Sequence, residues 1–111
     1  MNNNFKNNKI LKCTINNKFV TKLTYNTILC DIYYVIGCGT RIIKNSYLNI
    51  KTIEKKDKGY NYLPHLGISY QRIDSNKCMK EIYNQCYVNK IPFDIHIELS
   101  NNEKINICNK I

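Results

Sequence analysis

A chain of 111 residues with 43% hydrophobic residues and a net charge of +9 is long enough to bury one core and too apolar to remain disordered. Its longest apolar run, Ile28 to Ile36, is broken by Asp31 and falls short of the roughly 18–20 residues that a membrane-spanning helix needs. The charge is partly a record of base composition, because 18 Asn, 18 Ile and 15 Lys stand against two Arg and no Ala, the imprint of an AT-rich genome.

What codon bias does not explain is the asymmetry of that charge. Residues 1–30 hold five lysines and no acid (+5), residues 31–60 hold six basic and three acidic residues (+3), and residues 61–111 hold six and five (+1). A bias toward lysine does not remove acids from one end, so the basic N-terminal third is the part of the charge that bears on partners.

In chain order, residues 1–8 read as a flexible arm ahead of a single compact domain over residues 9–111. The arm is polar and has no apolar stretch behind it, unlike a secretory signal, so a cytoplasmic location in the producer or host is expected. In that reducing setting most of the six cysteines (13, 30, 38, 78, 86 and 108), which form no C-x-x-C pair, read as small buried hydrophobes with free thiols. The alternative is a secreted chain with up to three bridges. No cofactor or metal site is expected.

From Lys9 the pattern alternates, with Leu11, Cys13 and Ile15 on one side. A three-residue loop, Asn16-Asn17-Lys18, would pair Ile15 with Phe19, Cys13 with Thr21 and Leu11 with Leu23, giving one apolar face. The opposite face would then set Lys12 against Lys22, a like-charge pair that is either solvated or awaits an anion. Ile28 to Ile36, rich in β-branched and aromatic residues, is assigned as a buried strand, with a helix from Thr27 to Gly37 as the competing reading. Gly37 to Gly39 turns the chain, residues 40–53 form one bent or two short strands, and residues 54–59 form a charged turn. Leu66, Ile68 and Tyr70 alternate as another strand.

Residues 75–88 give a helix. Asp74 or Ser75 caps it, Cys78, Met79, Ile82, Tyr83 and Cys86 form its apolar stripe, and Asn89 stops it. Pro92 opens a strand carrying Phe93, Ile95, Ile97 and Leu99. A loop at Asn101-Asn102-Glu103 would pair Leu99 with Ile105 and Ile97 with Ile107, placing His96 opposite Cys108 and Asp94 opposite Lys110. The fold class is therefore α+β: a mostly antiparallel sheet built from hairpins, with one amphipathic helix packed on one face.

Candidate chemistry centres on residues 58–67, KGYNYLPHLG. Tyr60 and Tyr62, two apart, share a side if extended and would form a stacking platform, with His65 beside them. Arg41 and Arg72, the only arginines, suit bidentate phosphate or carboxylate binding, and Lys12 and Lys22 complete the binding set. Asp94, His96 and Glu98 share the outward face of the last hairpin. His96 beside Cys108 would make a thiol nucleophile, and His65 with His96 would make an acid–base pair. The P-loop, dinucleotide, zinc-protease and serine-hydrolase signatures are all missing from the sequence.

These features lead to a small non-enzymatic binding or inhibitor protein from an AT-rich virus, phage or low-GC bacterium. It would act by occupying the surface of a host or bacterial protein, with the edges of its sheet suited to self-association. The alternatives are a nucleotide- or RNA-binding module using the tyrosine loop and basic face, and a small nuclease or thiol enzyme using His65, His96 and Cys108.

Overall fold

The computed structural model describes residues 5–38, 46–64, 66–71 and 74–109, Cys38 by its backbone only. The expected α+β class is what the chain adopts, and the strand pairings among the described residues are all antiparallel.

Strand β1 (Lys9–Ile15) starts a four-stranded sheet in the order β2-β1-β6-β7, with β2 at Lys18–Phe19, β6 at Phe93–Glu98 and β7 at Lys104–Cys108. A register shift between Ile10 and Lys12 leaves Leu11 outside the ladder. That extra residue lets Ile10 and Cys13, three apart, both point inward with Ile15. Ahead of β1, Phe5 belongs to the core, and its amide donates to Asn76 Oδ1 at 2.7 Å. Phe5 falls within residues 1–8, the expected arm, and is buried.

Both hairpin registers differ from expectation, for one physical reason. In the first, Ile15 pairs with Lys18 and Thr14 with Phe19, leaving a two-residue loop of Asn16 and Asn17 at φ 53° and 66°. Two left-handed residues in succession make the turn whose twist matches the strands, and asparagine tolerates that region where Lys18 would be strained. In the second, Ile97 pairs with Ile105 and Ile95 with Ile107, so the expected pairing slips by two residues. The Leu99 amide bonds the Glu103 carbonyl at 2.8 Å around a three-residue loop, 100–102, in which Asn102 takes φ 70°. The loop is of the expected length but ends on asparagine rather than on Glu103. His96 consequently faces Asn106, and Asp94 faces Cys108.

Tyr25–Cys38 is a helix, α1, which overturns the strand reading of residues 28–36. Thr24 starts it: its hydroxyl accepts the Thr27 amide at 3.2 Å and its carbonyl the Ile28 amide at 3.1 Å. A strand would have buried residues 28, 30, 32, 34 and 36. The buried set is instead Ile28, Leu29, Ile32, Tyr33 and Ile36, with Tyr34 51% exposed. That spacing is helical, and burying this face outweighs the modest strand preference of its β-branched residues.

Helix α2 (Ser75–Val88) has the expected bounds. Asp74 Oδ1 accepts the Lys77 amide at 2.8 Å, satisfying one of the free amides of the first turn. Cys78, Met79, Ile82 and Cys86 share the core with Ile95, Ile97 and Cys13 from the four-stranded sheet, and Tyr83 meets Phe93 edge to face.

A smaller sheet, in the order β3-β5-β4, comes from Asn49–Lys51, Tyr60–Leu63 and Ile68–Gln71 as β3, β4 and β5. It lies against α1 through Tyr70, whose ring meets Tyr33 at 5.1 Å and whose hydroxyl bonds the Asn26 side chain.

Candidate functional site

Of the residues singled out by sequence, the described ones divide among β4, the larger sheet and, for Lys22, the segment before α1. Arg41, His65 and Arg72 lie outside the described residues. Tyr60 and Tyr62 sit on β4, half-buried, opposite Gln71 and Ser69 on β5. Residues 53–58 fold over that side of the sheet. The Ser69 hydroxyl donates to the Ile53 carbonyl (2.6 Å) and accepts the Lys55 amide (2.9 Å), while Gln71 Nε2 donates to the Lys58 carbonyl (2.8 Å). Lys55 Nζ lies 5.2 Å from the centroid of the Tyr60 ring, so an internal cation already sits against that ring.

Lys12 and Lys22 do not pair. Strand β2 ends at Phe19, and Lys22 falls in the turn before α1. Lys12 instead faces His96 on β6 and places its ammonium 5.3 Å from the Phe19 ring centroid. His96 Nε2 contacts Asp94 Oδ1 at 3.2 Å, and Asp94 also accepts from Asn106 Nδ2. These groups lie on the outward face of the larger sheet with His96 and Asp94 about half exposed. Among the described residues no group of three or more His, Cys, Asp or Glu side chains is arranged to hold a metal.

Burial sets the thiols apart. The Cys13 thiol is pushed up to about 12 by its burial and then by the Asp31 and Asp94 carboxylates, and Cys86 to about 12 by burial and then by Cys13. A raised thiol pKa disfavours the thiolate, the form that acts as a nucleophile.

A different surface presents a concentration of recognition chemistry. Tyr47, Lys80, Tyr83, Asn84 and Tyr87 line a cleft of about 630 Å³ along the outer face of α2. Tyr47, Tyr83 and Tyr87 are 47%, 39% and 67% exposed. The Tyr83 and Tyr87 rings are parallel within 6° at a centroid distance of 6.3 Å. Positions 80, 83, 84 and 87 recur at helical spacing, so one face carries them all.

Sequence reasoning placed Tyr83 in the apolar stripe and gave Glu81 no role. The helix is rotated so that Glu81 and Gln85, both fully buried, face inward beside Ile82. Glu81 Oε2 accepts from the Tyr33 hydroxyl (2.5 Å) and the Ser46 hydroxyl (2.6 Å). Glu81 Oε1 accepts from the Tyr47 amide (2.9 Å) and, more weakly, from Gln85 Nε2 (3.5 Å). A buried carboxylate is tolerated when donors satisfy its oxygens, and these four do so. The Tyr33 phenol is raised above its ordinary range by burial first and by the neighbouring Glu81 charge second. Because Glu81, the only carboxylate within Ser75–Val88, is turned inward, the exposed side of α2 carries charge from Lys77 and Lys80, with Asp74 just before the helix and Lys90 just beyond.

A second cleft, about 500 Å³, is lined by Asn8, Lys9, Leu23, Thr24, Asp74 and neighbouring residues where the two helices begin. Its helix starts already hold acceptors in Thr24 and Asp74. Compared with protein-family models, curated proteins and solved structures, the chain finds no match.

Proposed function

We propose that this protein is a non-enzymatic binding module that lays the aromatic face of α2, together with Tyr47, on the surface of a partner protein. One observation carries the reading. Three exposed tyrosines, two of them stacked, line a single cleft with Lys80 and Asn84. Tyrosine supplies large contact area at low entropic cost, which is why it dominates protein-binding hot spots. Lys80 in the cleft favours a partner with an acidic surface. Its AT-biased composition fits a virus, phage or low-GC bacterium as source, and a small binder of this kind would act as an inhibitor of a host protein.

The test is capture from host lysate by immobilised protein, side by side with a Tyr83→Ala, Tyr87→Ala double variant. One partner retained in near-stoichiometric amount and weakened about 30-fold or more by the double variant is the expected result, since each central tyrosine is worth about 1–2 kcal/mol. Equal retention by both proteins, or no specific partner, rules the reading out.

A second reading has a specific observation behind it. Exposed tyrosines beside Lys80 also suit single-stranded nucleic acid. A twenty-nucleotide oligothymidylate that binds the intact face, with affinity falling steeply as salt rises, would favour that reading over a protein partner.

A further inference from the structure

We infer that Glu81 is a positioning residue for this recognition face, holding Tyr47 across the cleft from Tyr83 and Tyr87; the inference rests on the reading proposed above. Residues 46–48 precede β3 and belong to no regular element, so the small sheet does not by itself dictate where Tyr47 stands. Their bonds converge on Glu81. Its Oε1 takes the Tyr47 amide at 2.9 Å, and its Oε2 takes the Ser46 hydroxyl at 2.6 Å. The Ser46 oxygen in turn takes the Leu48 amide at 3.0 Å, and Leu48 is buried. Tyr33, from α1, donates to the same Oε2 at 2.5 Å and braces the carboxylate from the other side.

Glu81 lies between Lys80 and Tyr83 on α2 and points the opposite way. The helix that displays two tyrosines outward therefore reaches inward with a neighbouring side chain to set the third. A carboxylate suits this role because its two oxygens serve several donors at once, and each bond to the charged group is stronger than a neutral one. Burial raises the stakes, since a donor left without an acceptor there is costly.

Amide exchange read residue by residue separates positioning from general stabilisation. In the wild-type protein the Tyr47 amide is expected to be protected although it lies outside helix and strand. In Glu81→Met, which keeps length but offers no acceptor, Tyr47 exchange should accelerate roughly tenfold or more relative to Ile95 in β6. Glu81→Gln retains one oxygen and should restore most of that protection. Tyr33→Phe removes a donor without touching the Tyr47 contact, and should change Tyr47 no more than Ile95. Partner capture should fall in Glu81→Met and recover in Glu81→Gln.

An unprotected Tyr47 amide in the wild-type protein overturns the inference without any variant, as does acceleration of Tyr47 and Ile95 in step in Glu81→Met. The two readings fail separately. If the wild-type protein captures no partner, the recognition reading falls whatever Tyr47 does. If capture holds while Tyr47 follows Ile95, only the positioning role is lost.

Discussion

At the scale of single residues, one glycine and one acid expose the physics most directly. A Cβ built on Gly37 would stand 1.9 Å from Leu66 Cδ2, so a side chain there requires Leu66 to shift. Alanine normally gains about 1 kcal/mol over glycine inside a helix. Here the clash dominates unless Leu66 moves, so Gly37→Ala should cost about 1–2 kcal/mol in urea unfolding. In a Leu66→Ala background the same change should become stabilising, a reversal of sign that a propensity effect alone would not give.

Asp31 is the complementary case. It is half-buried on α1, and its carboxyl is raised from the ordinary range by burial. A raised folded-state value means that the protonated form is favoured by folding. The stability it confers is present below the normal carboxylate range and is lost as pH climbs through the raised value. Asp31→Asn should therefore melt higher than wild type at pH 7, and the gap should close as pH falls through the carboxylate range. The thiols give a third outcome at this scale. In the folded protein, iodoacetamide at pH 8 should label the half-buried Cys108 before it reaches Cys13 or Cys86, as read by peptide mapping.

At the scale of elements, the sequence was most legible where a local pattern and its end signals agree. Asp74, the 78/79/82/86 stripe and Asn89 delimit α2 without reference to the rest of the chain. Helix α1 was obscured because its local preference and its period disagree, and only the period reports which face is buried. The hairpins were misread by one step in the turn. Matching apolar faces left the loop free to end on Lys18 or Glu103, whereas backbone sterics favour asparagine at left-handed positions, here Asn16, Asn17 and Asn102. If that is the controlling term, Asn17→Gly should stabilise the protein by about 0.5 kcal/mol and Asn17→Val should cost more than about 1 kcal/mol, because a β-branched residue is strained there. Thermal melts of the two variants moving in the same direction would contradict this.

Glu81 and the tyrosine cleft were hidden for a different reason. An acid beside an apolar stripe is locally indistinguishable from a solvated one. What buries it is the arrival of Tyr33 from α1 and of Ser46 and Tyr47 from the segment before β3, 34 to 48 residues away in sequence. Tyr60 and Tyr62, the residues visible in sequence, are half-buried beside residues 53–58, whose bonds to Ser69 and Gln71 depend on strand register rather than on composition.

At the scale of the whole molecule, two helices pack on the inner face of one sheet and carry a second, smaller sheet against α1. Among the described residues, the one charged side chain lining the cleft with the exposed tyrosines is Lys80. That arrangement is the centre of the functional account, and it predicts where a partner touches. The most direct measurement is photo-crosslinking in host cells with p-benzoylphenylalanine placed at position 87 and, in a matched protein, at position 56 in the exposed charged turn. The account predicts an adduct from position 87 that maps to an acidic surface of one protein, with none from position 56. An adduct from position 56 alone, or the same adducts from both, would contradict it.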